Sequence, residues 1–192
     1  LNLGVKVNPE LDYVKAEVYM DGNAENKNNY NTEIWIVAKE LCNVVISAMA
    51  EKKFKVISEF KGEKLEGLKY KHPFYDSFKE DYNKYEQLSD KTFTVLLSSE
   101  YVDTSSGTGL VHVSPGCGPE DYEVGHRYGI KQFNNVDERG YYPKDFGPIG
   151  GFHTKKDTDK FIKFLEPAIF AKSDVEHEYP HCWRCHKPAI FR

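Results

Sequence analysis

The chain has 192 residues, 40% of them apolar and 29% charged, enough to bury one sizeable domain or one domain with an appendage. A formal charge of −4 excludes a general nucleic-acid coat, which needs a basic field to gather phosphates, but it allows a local RNA contact. No apolar run approaches the roughly 20 residues of a membrane span and no signal-peptide pattern opens the chain, so a cytoplasmic protein without a membrane partner is expected.

In chain order, LGVKVNP (3 to 9) and DYVKAEVYM (12 to 20) alternate apolar and polar residues, predicting two strands joined through NPEL. The polar, Asn-rich 21 to 31 reads as a loop or long hairpin tip. EIWIVA (33 to 38) is strand-like, and 38 to 53 carries Leu41, Val44, Val45, Ala48 and Met49 at the spacing of an amphipathic α-helix. FKVISEF (54 to 60) alternates again, and 61 to 76 has the Gly and Pro density of an irregular connection. KTFTVLLSSEYVD (91 to 103) and TGLVHVSP (108 to 115) read as strands. PEDYEVGHRYG (119 to 129) has Pro at the first helical position, acids in the first turn and Gly at the stop, the polarity of a helix. ERGYYP (138 to 143) predicts a tight turn, and DTDKFIKFLEPAIF (157 to 170) a helix that Pro167 ends near Glu166. The fold class predicted is β-rich α/β, a distorted barrel with peripheral helices. The abrupt start at Leu1, on a strand, reads as part of something longer.

The stretch GTGLVHVSPGCGPEDYEVGH (107 to 126) interrupts an apolar run with glycines, sets His112 inside the run and places Asp121 just beyond the turn. Two readings stand. In one, this is a strand, turn and helix connection in which His112 is a surface or packed residue and Asp121 a carboxylate favoured by the helix dipole. In the other, His112 and Asp121 converge on a pocket, an ionised Asp121 holds a ligand ammonium, and the glycines let a ligand lie against the backbone.

Four cysteines, Cys42, Cys117, Cys182 and Cys185, do not make a disulfide framework, since only the last two are close in sequence. HCWRCH (181 to 186) has the Cys-x-x-Cys spacing of a zinc knuckle and supplies half of a tetrahedral ligand set.

GTGLVHVSPGCGPEDYEVGHRYG resembles the motif GTGxVHxAPGHGxxDxxxGxxYG of the editing domain inserted into the Rossmann catalytic domain of isoleucyl-tRNA synthetases. NLGVKVNPELDYV resembles the start of that insertion, FKGEKLEGLKYKHPF its KGxxLEGLxYxHPF segment, and YPHCWRCHKPAIFR the stretch returning to the catalytic domain. The resemblance implies an editing domain over 1 to 176 and a return segment over 177 to 192. His112 favours the isoleucyl kind over the valyl and leucyl kinds. Cys117 departs from the motif, standing where PGHG has its second histidine.

The implied activity is hydrolysis of valine misattached to tRNA-Ile after transfer, and of the valyl adenylate before it, with the CCA end of the tRNA and the rest of the synthetase in cis as partners. Asp121 and His112 are the implied catalytic residues, the first binding the α-ammonium and the second closing the side-chain pocket. Gly107, Thr108, Gly109, Leu110 and Val111, with Pro115, Gly116 and Gly118, would form the wall against the terminal adenosine. Cys182 and Cys185 would be a zinc half-site completed in the full enzyme. No cofactor is expected in this segment, whereas the parent family uses zinc and ATP with Mg. Neither HIGH nor KMSKS, the ATP-handling signatures, occurs here. A threonine-rich wall of the type TTPWT lies ahead of the first strand in the family, so weak deacylation by these 192 residues alone is expected. Two rivals remain: a valyl-type domain clearing threonine, and a non-catalytic RNA-binding insertion.

Overall fold

A computed structural model describes residues 2–20, 31–172, 176 and 178–190. The Asn-rich loop predicted over 21 to 31 lies, apart from Asn31, outside the described residues. The chain divides into two compact units, one built from 2–70 and 93–113 and the other from 71–92 and 114–192.

The first unit holds the strands. β1 (Gly4–Val7), β5 (Thr94–Leu97) and β6 (Leu110–Val113) form one sheet in the order β5-β1-β6, with β1 parallel to β5 and antiparallel to β6. β2 (Asp12–Tyr19), β3 (Thr32–Ala38) and β4 (Lys53–Lys61) form a second, antiparallel sheet with β2 central. Thus β1 and β2, although joined through NPEL, are not a hairpin. Asn8 turns the chain from one sheet to the other: its Oδ1 accepts from the Glu10 N–H at 3.0 Å and its Nδ2 donates to the Val102 carbonyl at 2.9 Å.

The alternation in β2 explains its centrality. Val14, Ala16 and Val18 are all buried and join Val7, Val37, Val45, Ile46 and Val95 in one core shared by both sheets. Tyr13, fully buried, bridges them: its hydroxyl donates to the Gly109 carbonyl at 2.6 Å and accepts from the Asn8 N–H at 3.1 Å. Beside it the Ala38 N–H donates to the Thr108 carbonyl at 2.9 Å. Among the described residues these individual bonds join the sheets where a closed barrel would have a continuous ladder, so the unit is a pair of three-stranded sheets on a common core, not a closed barrel.

The helix expected over 38 to 53 is a 3₁₀ turn (Lys39–Leu41) followed by π-helix (Asn43–Met49), in which the Ala50 N–H reaches back to the Val45 carbonyl. The wider winding buries Leu41, Cys42, Val45 and Ile46 and leaves Val44 and Met49 exposed, shifting the apolar stripe from the α-helical phase.

The second unit is helical with an aromatic core. α1 (Lys79–Leu88), α2 (Pro119–Arg127) and α3 (Thr158–Leu165) are its α-helices among the described residues. α2 and α3 occupy the predicted segments, while α1 went unpredicted because its charged sequence KEDYNKYEQL buries only Tyr82 and Tyr85. Phe78 packs on Phe146 with ring centroids 5.2 Å apart, and Tyr85 on Phe133 at 4.5 Å. The predicted turn near 138 to 143 is held by Asp137, whose Oδ1 accepts from the N–H groups of Arg139 and Tyr141.

His72 belongs to this core. Its Nδ1 accepts from the Phe74 N–H at 3.1 Å, which leaves the Nε2-protonated tautomer and makes the Tyr82 hydroxyl, 3.0 Å away, a second donor to Nδ1. Burial, the largest cause, lowers its pKa from 6.5 to about 4. A depressed histidine pKa means that the unfolded chain takes up a proton first, so stability present above pH 6.5 is lost as pH falls toward 4. Between pH 7 and 5, His72→Gln, which keeps an acceptor but does not titrate, should remove a drop of about 1 kcal/mol, a value discounted for the ring's partial exposure. Urea unfolding at the two pH values measures it, and equal drops in parent and variant would contradict it.

Candidate functional site

α2 starts as its sequence requires. Gly118 is the N-cap, Pro119 fills the first helical position and Glu120 and Asp121 occupy the first turn. Asp121 does more than complement the helix dipole: its Oδ2 accepts the backbone N–H of Ser114 at 2.9 Å. Ser114 is 3% exposed and directly follows β6, so the first donor past the strand is satisfied by a carboxylate seven residues on. The Cys117 N–H closes the turn onto the Ser114 carbonyl at 2.9 Å.

The turn between them is pinned from outside. A Cβ at Gly116 would stand 2.0 Å from the Phe133 carbonyl oxygen, and the Asn134 Nδ2 donates to the Gly116 carbonyl at 2.8 Å. Gly125 on α2 packs on the Pro115 ring, where a Cβ would come within 2.4 Å of Cγ. Against this pinned turn lies a recess of about 510 Å³ lined by Pro115, Gly116, Cys117, Gly118, Pro119, Tyr122, Gln132 and Asn134. Its size suits a small ligand.

Of the predicted wall residues, Pro115, Gly116 and Gly118 therefore line a recess. Gly107, Thr108, Gly109, Leu110, Val111 and His112 belong to the strand unit, whereas Asp121 belongs to the helical unit. Gly109 does not offer its bare backbone to a ligand. At φ +76° it is pressed against Ala38, where a Cβ would fall 2.4 Å from the Ala38 Cβ, and its carbonyl is taken by Tyr13. Gly116 is likewise closed by Phe133, while Gly107 and Gly118 have open space at the Cβ position. Thr108 Oγ1 is engaged locally with the Leu110 backbone, Leu110 is half-buried, and Val111 and His112 are exposed on β6, with His112 opposite Val5 of β1. Tyr122, Gln132 and Asn134 were not foreseen as lining residues. Tyr122 was hidden among helix formers, and the QFNN run (132 to 135) has no periodicity that marks it.

The Cys-x-x-Cys pair lies on an exposed turn. The Cys182 N–H donates to the Lys187 carbonyl at 2.9 Å and the His186 N–H to the Cys182 carbonyl at 2.8 Å, with His186 at φ +55°. Backbone N–H groups of Cys185 and Arg184 point at the Cys182 sulfur and, with the Cys185 thiol, hold its pKa below the ordinary thiol value. Among the described residues no three His, Cys, Asp or Glu side chains gather as a metal site, and no helix is long and apolar enough to cross a membrane.

The chain matches isoleucine–tRNA ligases along its whole length. Those of Pyrococcus horikoshii and Pyrococcus abyssi are 40% identical over 196 residues, covering 100% of this chain and 17% of theirs. The chain belongs to the isoleucyl-tRNA synthetase family. The enzyme of Methanocaldococcus jannaschii is 36% identical over 197 residues, so the chain spans about a sixth of the length of these synthetases. Among solved structures, the crystal structure of GlLeuRS-CP1 has the same fold, with a TM-score of 0.57 at 15% identity, covering 92% of this chain and 78% of that one. No protein-family model matches. The chain thus corresponds to one segment of an isoleucine–tRNA ligase, with a fold shared with GlLeuRS-CP1.

Because Asp121 satisfies a buried backbone donor, its removal should cost stability even without substrate. Asp121→Ala should lower unfolding free energy by about 1 to 2 kcal/mol, and Asp121→Asn, which keeps an acceptor, by less. Urea titration of the 192-residue chain checks it, and equal effects of the two variants would argue against the Ser114 bond.

Proposed function

We propose that the domain hydrolyses valine from misacylated tRNA-Ile, and the reading rests on the match of the entire chain to isoleucine–tRNA ligases. The need is energetic. Isoleucine exceeds valine by one methylene, worth about 1 to 3 kcal/mol in a binding pocket, a limit for which this synthetase family is itself the standard example. A second pocket that admits valine and excludes isoleucine supplies the missing discrimination.

In this reading the Asp121 carboxylate binds the α-ammonium of the aminoacyl ester through a charge-assisted hydrogen bond. A carboxylate has about four acceptor positions, so the bond from Ser114 sets its orientation without using up its capacity. His112 closes the side-chain pocket to the larger cognate residue. The terminal adenosine lies in the recess floored by Pro115, Gly116 and Gly118. A positioned water adds its oxygen to the ester carbonyl carbon. The bond to the ribose oxygen breaks, and that oxygen leaves as a hydroxyl with a proton from the water. No side chain serves as nucleophile, and catalysis comes from orientation, where an error of about 1 Å costs roughly a hundredfold.

In a synthetase carrying this segment, Asp121→Ala should slow hydrolysis of Val-tRNA-Ile about a hundredfold or more and let the misacylated product accumulate. His112→Ala should let the site hydrolyse Ile-tRNA-Ile. Deacylation of radiolabelled aminoacyl-tRNA reads both, with melting curves to confirm folding; unchanged valine hydrolysis in Asp121→Ala would overturn the reading.

Cys182 and Cys185 fit a zinc half-site, since the backbone N–H groups around Cys182 favour the thiolate that metal needs. The other two ligands come from elsewhere in the synthetase. The isolated chain should bind Cd²⁺ weakly with a thiolate-to-metal absorption band that Cys182→Ser removes, and a band that survives in Cys182→Ser would exclude this pair.

A further inference from the structure

A second recess, of about 490 Å³, is lined by Tyr122, His126, Gly129, Ile130, Lys131 and Gln132. Tyr122 and Gln132 also line the first recess, so the two share a wall. We propose that the second recess holds the nucleotide adjoining the terminal one in a single-stranded RNA end, with its base stacked on the Tyr122 and His126 rings. The proposal rests on the editing reading above and adds to it a partner surface that the hydrolytic step does not use.

Four features of the recess suit a nucleotide. Tyr122 and His126 stand one turn apart on α2, with ring centroids 5.9 Å apart and planes 34° from parallel, and Tyr122 is 44% exposed despite its size. Such a face accepts any base, because every base has a π surface. Lys131 lines the recess and makes no ion pair among the described residues, so its charge is available to a phosphate. Gln132, in the shared wall, offers an amide to a base edge on either side. Gly129, at φ +69°, has open space where a side chain would stand.

The acids of α2 do not spoil this face. At 3.6 residues per turn, Glu120 lies about 200° around the helix from Tyr122 and Asp121 about 100°. Glu123 is paired with Arg127 at 3.4 Å. The net charge of the chain is negative, so the attraction is local to Lys131 and weak, as expected for an end that other parts of a synthetase would deliver.

The test uses the 192-residue chain with two probes: a 5′-fluorescein-labelled CCA ribotrinucleotide followed by anisotropy, and free adenosine followed by NMR titration. Tyr122→Ala should weaken the trinucleotide about tenfold, with Tyr122→Phe near the parent. His126→Ala and Lys131→Gln should weaken the trinucleotide but not adenosine, and Lys131→Gln should also flatten its salt dependence. The proposal is overturned if His126→Ala and Lys131→Gln leave the trinucleotide affinity unchanged, if they weaken adenosine equally, or if the chain does not bind the trinucleotide. Neither probe carries an aminoacyl ester. A failure of valine hydrolysis to depend on Asp121 would therefore remove the editing reading and leave this stacking site standing, and the reverse outcome is equally separable.

Discussion

The hydrogen bond from the Ser114 N–H to the Asp121 carboxylate is the constraint on which the candidate site depends. It joins the residue after β6 to the first turn of α2, and so fixes where the Pro115 to Gly118 turn can run. The other anchors act on the same turn: Asn134 on the Gly116 carbonyl and Gly125 against Pro115. A carboxylate held in this way has lost much of its rotamer freedom before any ligand arrives. Ordering an ammonium against it then costs less entropy than it would on a mobile side chain. In the proposed reading, the bond that serves folding would also serve binding.

The glycines of the GTG sequence show a comparable double use. Gly109 accepts the Tyr13 hydroxyl and admits Ala38 at a distance no side chain would allow. Together with the bond from Ala38 to Thr108, it clasps the two sheets at the edge where their ladders do not meet. The open glycine, Gly107, precedes that clasp. A motif read for its ligand therefore contains one residue set by packing and one left free.

Much of this was legible from local pattern. Alternation in 12 to 20 marked β2 because one face of it is wholly buried, and Pro119 with its following acids marked the start of α2. What escaped were features set by distant partners. β1 and β2 were legible as two strands joined through NPEL, but nothing in NPEL reveals that they enter different sheets or that Asn8 reaches Val102. The segment 43 to 49 looked α-helical because π winding leaves no distinct signature in so short a run. α1 was missed because two buried tyrosines in a charged segment do not make a stripe. At the site, the order Ser114, Cys117, Asp121 was visible, but the walls at Tyr122, Gln132 and Asn134 depend on how 130 to 135 returns across the turn.

The two units interleave along the chain, and this has a bearing on the order of events during synthesis. β1 leaves the ribosome well before its neighbours β5 and β6, which pair Gly4 with Thr94 and Val113. Until those residues emerge, a nascent strand with Val5 and Val7 has both hydrogen-bonding edges open. The β2-β3-β4 sheet, made of consecutive strands, can close much earlier. Assembly of the strand unit therefore has a natural sequence, with the local sheet first and the one bearing His112 last, so β6 would be among the final parts to take shape.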